Sequence, residues 1–302
     1  MNDIYKKQVA LLIRIMPSVY RIKDFAVHGG TAINLFHKNM PRYSVDIDLT
    51  YIPVQERTES LETINNHLQT LKTSIEKSIP GIRVIHKPDV WKLQCTLGGA
   101  TVKIEVNGTK RGIIGETEDR KLCERAETEF NMTCKARTVS YSQLYGGKIA
   151  AALSRQHPRD LFDCKYMEMA SFHDVKDGFM LCLLGSDKPV IESLQPNAID
   201  QTEALENQFE GMSDTPFTYA DYEKARRNLI QQVNDNLTET DREFLLSFEN
   251  GEPDWEKCCA GDLSRYPSVK WKLQNIAKLK KSNPQKHKAG LEKLQAFLFP
   301  EE

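Results

Sequence analysis

Apolar positions recur along this chain with two periods, and each period predicts a different element. Between Val54 and Ile79 the residues Leu61, Ile64, Leu68, Leu71, Ile75 and Ile79 repeat at three and four. That spacing predicts an amphipathic helix, stopped by Pro80-Gly81. Residues 4–20 carry the same helical period. Phe25 to His28 is a short apolar run that reads as a strand ended by Gly29-Gly30, and Thr31 to Lys38 reads as a short helix with apolar Ile33, Leu35 and Phe36, closed by Pro41. Val45 to Tyr51 alternates instead. A strand there places Val45, Ile47 and Leu49 on one face and Asp46, Asp48 and Thr50 on the other. Three more strands are predicted at Ile82 to Ile85, Trp91 to Leu97 and Thr101 to Asn107, the last two joined by a Gly98-Gly99 hairpin turn. In the last of them Val102, Ile104 and Val106 point inward, and Lys103 and Glu105 outward.

From Tyr141 the pattern is helical. It runs through YSQLYGGKIAAALSRQ, then PRDLFDCKYMEMASF behind Pro158, a residue suited to a first helical turn. Tyr219 to Asn234 and Thr238 to Phe248 follow, and the chain ends in the basic pair SVKWKLQNIAKLKK and QKHKAGLEKLQAFL. The stretch from Arg111 to Thr138 is highly charged and shows little periodicity. The fold class expected is α+β: a mixed sheet with helices over residues 1–137, then a helical domain over 138–302.

Charge changes this picture locally rather than globally. With 41 Lys+Arg against 42 Asp+Glu the whole chain is nearly neutral. Pro196 to Glu256 nevertheless holds 15 acidic and 4 basic residues, whereas Leu263 to Pro300 holds 9 basic residues and the single acid Glu292. Seven scattered cysteines, never spaced as CxxC, argue against a disulfide framework or a zinc ribbon and fit a reducing cytoplasm. No apolar run approaches the roughly 18 to 20 residues that span a bilayer, and the N-terminal apolar patch is broken by Arg14. A soluble protein with no membrane partner is expected.

The chemistry concentrates in FAVHGGTAINLFHKNMPRYSVDIDLTY, residues 25–51. Asp46 and Asp48, two apart on one strand face, offer oxygen ligands of the kind Mg2+ (or Mn2+) prefers while it keeps other positions for substrate phosphates. Gly29 and Gly30 let a backbone approach a bulky anion, and the Thr31 hydroxyl with free helix-start amides can bond phosphate oxygens. Glu105 either supplies a third carboxylate or is a solvated edge residue. Arg42 and Ser44 either touch phosphate or form the turn before the aspartates.

GGT followed by VDIDL, with Glu105 in KIEVN, resembles the nucleotidyltransferase superfamily pattern of strand, G-[GS]-[ST], spacer, D-x-D and distal acid. A second block, Lys148, Arg155 and then PRDLFD with Asp160 and Asp163, resembles more narrowly the AbiEii-like nucleotidyltransferase toxins of type IV toxin–antitoxin systems. YPSVKWKLQN (266–275) extends that likeness toward the C-terminus. The resemblance implies NMP transfer from an NTP, with the 3′ end of tRNA as acceptor and a separately encoded antitoxin as partner. It implies Gly30 and Thr31 at the phosphates, Asp46 and Asp48 on metal, Lys148 on the triphosphate, and Asp160 or Asp163 supporting Lys148 or the acceptor, in a cleft between the two domains. Threonine stands where serine is more usual, and the spacer of 14 residues from Thr31 to Asp46 is long for the superfamily.

Alternatives stay open on the residues alone. Arg155 and Arg159 fit helix capping or ion pairs with Asp160 and Asp163 as well as a nucleotide role. The C-terminal lysines Lys270, Lys272, Lys278, Lys280 and Lys281 either follow an RNA backbone or form a solvated face with Trp271 packed inward. A small-molecule or protein acceptor, or a silent NTP- or RNA-binding module, remain the rival functions.

Overall fold

The computed structural model describes residues 3–167 and 171–300. The chain divides by packing into two units, one of residues 1–140 with 204–217, the other of 141–203 with 218–302.

The first unit is built on a seven-stranded mixed sheet. Its elements are α1 (Asp3–Tyr20), β1 (Phe25–His28), α2 (Gly29–Thr31) running into a π-helical turn Ala32–His37, β2 (Ile47–Tyr51) and α3 (Arg57–Ser78). They continue with β3 (Arg83–Lys87), β4 (Lys92–Leu97), β5 (Ala100–Val106), β6 (Glu118–Lys121), α4 (Glu124–Phe130) and β7 (Lys135–Thr138). The strand order is β3-β4-β5-β2-β1-β7-β6. Two pairs, β2 with β5 and β1 with β7, are parallel, and the rest antiparallel. The expected periodicity is realised in α3, where Ile64, Leu68, Leu71 and Ile75 are fully buried. Val84, Leu93, Cys95, Val102 and Ile104 form the matching buried face of β3, β4 and β5, on the side where α1 and α3 pack.

Differences from the predicted elements have local causes. The second strand begins at Ile47 rather than Val45, because the Asp46 carbonyl accepts from the Thr31 hydroxyl at 2.5 Å instead of joining a ladder. The helix expected after the glycines widens to π geometry. There Asn34 Nδ2 donates to the Gly30 carbonyl at 2.9 Å, the acceptor its own α-helical amide would use. The charged stretch before Thr138 contains β6, α4 and β7, which periodicity did not reveal. Arg137 in β7 is buried with its guanidinium 5.1 Å from the Tyr20 ring centre, donating to the Ile22 carbonyl at 3.2 Å. A polar residue thus occupies a buried strand position by pairing. Residues 204–217, expected in the helical part, pack in the sheet unit. Met212 O accepts from Tyr43 N at 2.7 Å and Ser213 Oγ donates to Pro41 O at 2.8 Å. They brace the loop ahead of the aspartates.

The second unit is helical: α5 (Tyr141–Arg155), α6 (Pro158–Lys165), α7 (Lys176–Leu184), α8 (Val190–Leu194), α10 (Tyr219–Asp235), α11 (Glu239–Glu249), α12 (Pro267–Ser282) and α13 (Pro284–Leu298), with α9 (Thr202–Gln208) beginning in it. The helical run predicted after Pro158 ends at Lys165, and its continuation over 168–170 lies outside the described residues. Thr218 with Asp221, and Thr238 with Asp241, close capping boxes that start α10 and α11.

Two glycines set the tightest contact of this unit. A Cβ on Gly178 of α7 would stand 2.1 Å from the Ser142 carbonyl oxygen, and one on Gly146 of α5 would stand 2.1 Å from the Phe179 amide nitrogen. Both obstacles are backbone, so neither can swing aside. Gly178→Ala is therefore expected to cost about 3 kcal/mol or more, read as a lowered thermal midpoint and reduced soluble yield. An unchanged melt would show that α5 and α7 can separate freely.

Candidate active site

Gly29 and Gly30 are glycines because of what lies beneath them. Gly29 has φ +68°, and a Cβ there would stand 2.6 Å from Asp48 Oδ2. At Gly30 a Cβ would stand 2.8 Å from Arg42 Nη2 and 2.9 Å from Ser44 Oγ. The carboxylate and the guanidinium thus press directly against the glycine backbone. Arg42, Ser44 and Thr31 are all buried, and Arg42 Nη1 donates to the Tyr43 carbonyl at 2.8 Å. Thr31 Oγ1 bonds Ser44 Oγ at 3.1 Å besides the Asp46 carbonyl. The threonine hydroxyl therefore ties the glycine turn to the aspartate segment.

Strand register assembles the rest. His28 of β1 is opposite Asp48 of β2, Asp48 is opposite Glu105 of β5, and Glu105 is opposite Lys92 of β4. Paired residues share a face, so these four side chains form one row on the side of the sheet away from α1 and α3. Asp46 and Asp48 are half-buried. Glu105 sits beside Asp48 in register, and its carboxylate is 3.0 Å from Lys92 Nζ. Among the described residues no three His, Cys, Asp or Glu side chains gather as a metal-holding group. The half-buried carboxylates of Asp46 and Asp48 nevertheless offer the hard oxygen donors that a divalent cation takes.

In the helical unit the second motif forms a buried ion cluster. Asp160 and Asp163, three apart on α6, face Lys148 of α5, whose Nζ is 3.0 Å from Asp160 Oδ1 and 2.9 Å from Asp163 Oδ2. Arg155 adds Nη2 at 2.7 Å to Asp160 Oδ2, with most of its side chain in solvent. Lys148, Asp160 and Asp163 are buried. Burial alone would raise the Asp160 carboxyl pKa, but Lys148 and Arg155 more than offset it and hold it below the ordinary value. Gly146, two residues before Lys148, serves the α5–α7 contact.

The C-terminal helices reverse one expectation. Trp271 is 52% exposed, whereas Lys272 is buried, with its Nζ donating to the Ser186 and Lys188 carbonyls and 3.7 Å from Glu249. Burial lowers the Lys272 ammonium pKa. Lys272 closes the fold and is withdrawn from any RNA-facing set. Lys270, Lys278, Lys280 and Lys281 are exposed. What sequence reasoning missed is Met212 and Ser213, which brace the Arg42 loop from far along the chain; no local signal marks them.

The fold is similar to that of MenT4, a nucleotidyltransferase toxin from Mycobacterium tuberculosis H37Rv, with a TM-score of 0.61, 13% sequence identity, and coverage of 90% of this chain and 93% of that chain. The family described as nucleotidyl transferase AbiEii toxin, type IV TA system, matches residues 11–275, and the chain belongs to it. No curated protein matches it by sequence. The protein is thus a nucleotidyltransferase of a toxin family, and membership implies an NTP substrate and an antitoxin partner. Among the described residues no helix is long and apolar enough to cross a membrane.

Proposed function

We propose that this enzyme transfers a nucleoside monophosphate from an NTP to RNA, with the 3′ end of tRNA as acceptor, as a cytoplasmic toxin restrained by its cognate antitoxin. The observation that carries the reading is the glycine turn packed on Asp48, Arg42 and Ser44. Amides of Gly29, Gly30 and Thr31 take phosphate oxygens, and the buried Arg42 guanidinium beneath them favours an anion there. Asp46 and Asp48 would hold Mg2+ or Mn2+, which when bound neutralises triphosphate charge and favours ionisation of the attacking hydroxyl. Glu105 joins that set only by leaving Lys92.

In the reaction the acceptor hydroxyl oxygen bonds to the α-phosphorus, and the bond from that phosphorus to the bridging oxygen breaks. Pyrophosphate leaves with the electron pair, and the hydroxyl proton passes to water. Lys148 is proposed as a nucleotide-binding residue on the family likeness, its ammonium held in one place by Asp160 and Asp163, with Arg155 completing the charge balance. Support for this second cluster is the family match, which spans both motifs.

The test is incubation of the protein and Mg2+ with total tRNA and each α-labelled NTP in turn. Label entering RNA with one NTP is the expected result. Label in protein or in a small molecule instead, with none in RNA, would overturn the acceptor.

A further inference from the structure

The row of side chains through Asp48 continues onto an open sheet face. Three strands beyond β2 present alternate residues away from α1 and α3, and their registers define a grid. Glu105, Lys92 and Lys87 make one line; Lys103, Gln94 and Ile85 the next; Thr101, Thr96 and Arg83 the third. Arg83, Lys87 and Lys103 are exposed, the Lys92 side chain is 41% exposed, and Ile85 is 37% exposed. A depression of about 220 Å³ is lined by Lys87, Lys92, Gln94, Lys103 and Glu105. Four cations thus share this face with one acid, and that acid is engaged by Lys92 at 3.0 Å.

We infer that this face of β3, β4 and β5 carries the phosphate backbone of the acceptor strand, leading its end to Asp48. The inference rests on the RNA-acceptor reading above. Strands lie about 4.8 Å apart, so the line from Asp48 through Glu105 and Lys92 to Lys87 crosses about 14 Å of surface. It begins at the proposed reacting centre and ends in solvent among lysines. The grid holds no aromatic side chain, and its polar members are Gln94 and the hydroxyl pair Thr96 and Thr101, 3.2 Å apart. Such a surface offers charge and hydrogen bonds to a backbone and no platform for stacking bases, so it binds strands with little regard to sequence.

The experiment is direct binding of a fluorescent single-stranded RNA and of total tRNA, without NTP, across a salt series. Wild type is compared with Arg83→Ala/Lys87→Ala/Lys103→Ala and with Lys278→Ala/Lys281→Ala. All five residues are exposed, and a melt of each variant checks that it is folded. The sheet-face variant is expected to lose roughly tenfold or more in affinity at low salt. Its slope of log affinity against log salt should fall by about 2, from three lost phosphate contacts at about 0.7 each. Unchanged affinity and slope in that variant, loss only in the C-terminal variant, or no RNA binding by wild type would each overturn the inference. RNA binding that depends on the sheet face, in a protein that labels no RNA with any NTP, would uphold the surface and remove the transfer reading instead.

Discussion

Lys148→Met is expected to lower the thermal midpoint by on the order of 10 °C at pH 7, because breaking a buried ion pair from one side costs about 3–5 kcal/mol. The variant leaves Asp160 and Asp163 buried on one helix face with no ammonium between them. Arg155 still reaches Asp160 but from solvent, where its attraction is screened. The sign of the pH dependence makes the origin testable. In the native protein the Asp160 carboxyl pKa is held below its unfolded value, so its contribution is present above about pH 4 and is lost as pH falls through the lowered value. In the variant burial is no longer offset by Lys148, so a carboxyl is raised instead, and folding takes up a proton as pH falls toward that raised value. The gap between the two melts should therefore shrink from pH 7 to pH 4.5. Lys148→Met/Asp163→Asn should recover part of the loss at neutral pH. A gap constant across that range, with no recovery in the double variant, would assign the loss to packing of the lysine stem rather than to charge.

The residues that were legible from sequence are those whose neighbours in space are neighbours in sequence. Alternation within TVKIEVN placed Ile104 inward and Glu105 outward, and both hold. The heptad-like repeat of α3 likewise gave its buried face. Glycine next to glycine after a strand reads as a backbone that a bulky anion can approach; what packs against it within the fold is Asp48, Arg42 and Ser44, up to 19 residues further on. The threonine hydroxyl bonds Ser44 and the Asp46 carbonyl, partners that no periodicity identifies. Lys272 and Trp271 show the complementary failure. A lysine reads as exposed and a tryptophan as buried by composition alone, but two carbonyls and Glu249 make a buried ammonium tolerable at 272. Buried charge is stabilised by specific long-range partners, and those partners are what a linear pattern omits.

Asp48→Asn should reduce nucleotide transfer at least about a hundredfold while leaving the melt nearly unchanged. The substitution keeps the shape of the side chain, so the contact beneath Gly29 survives, while the charge that would attract a cation is gone. Gly29→Ala probes the same contact from the other side. A methyl there meets Asp48 Oδ2 at 2.6 Å and sits on a backbone at φ +68°, so Asp48 has to move and transfer should fall although every charged group is present. The two costs separate in a double variant. With Asp48→Ala the collision disappears, and only the backbone cost of about 1 kcal/mol at a left-handed residue should remain from Gly29→Ala. The stability loss from Gly29→Ala should accordingly be smaller in the Asp48→Ala background than in wild type, while transfer is absent throughout the Asp48→Ala background. Equal losses in the two backgrounds would mean that Gly29 is required for its backbone conformation alone. Full transfer by Asp48→Asn would move the chemistry away from this carboxylate and leave its fit under the glycine as a feature of packing.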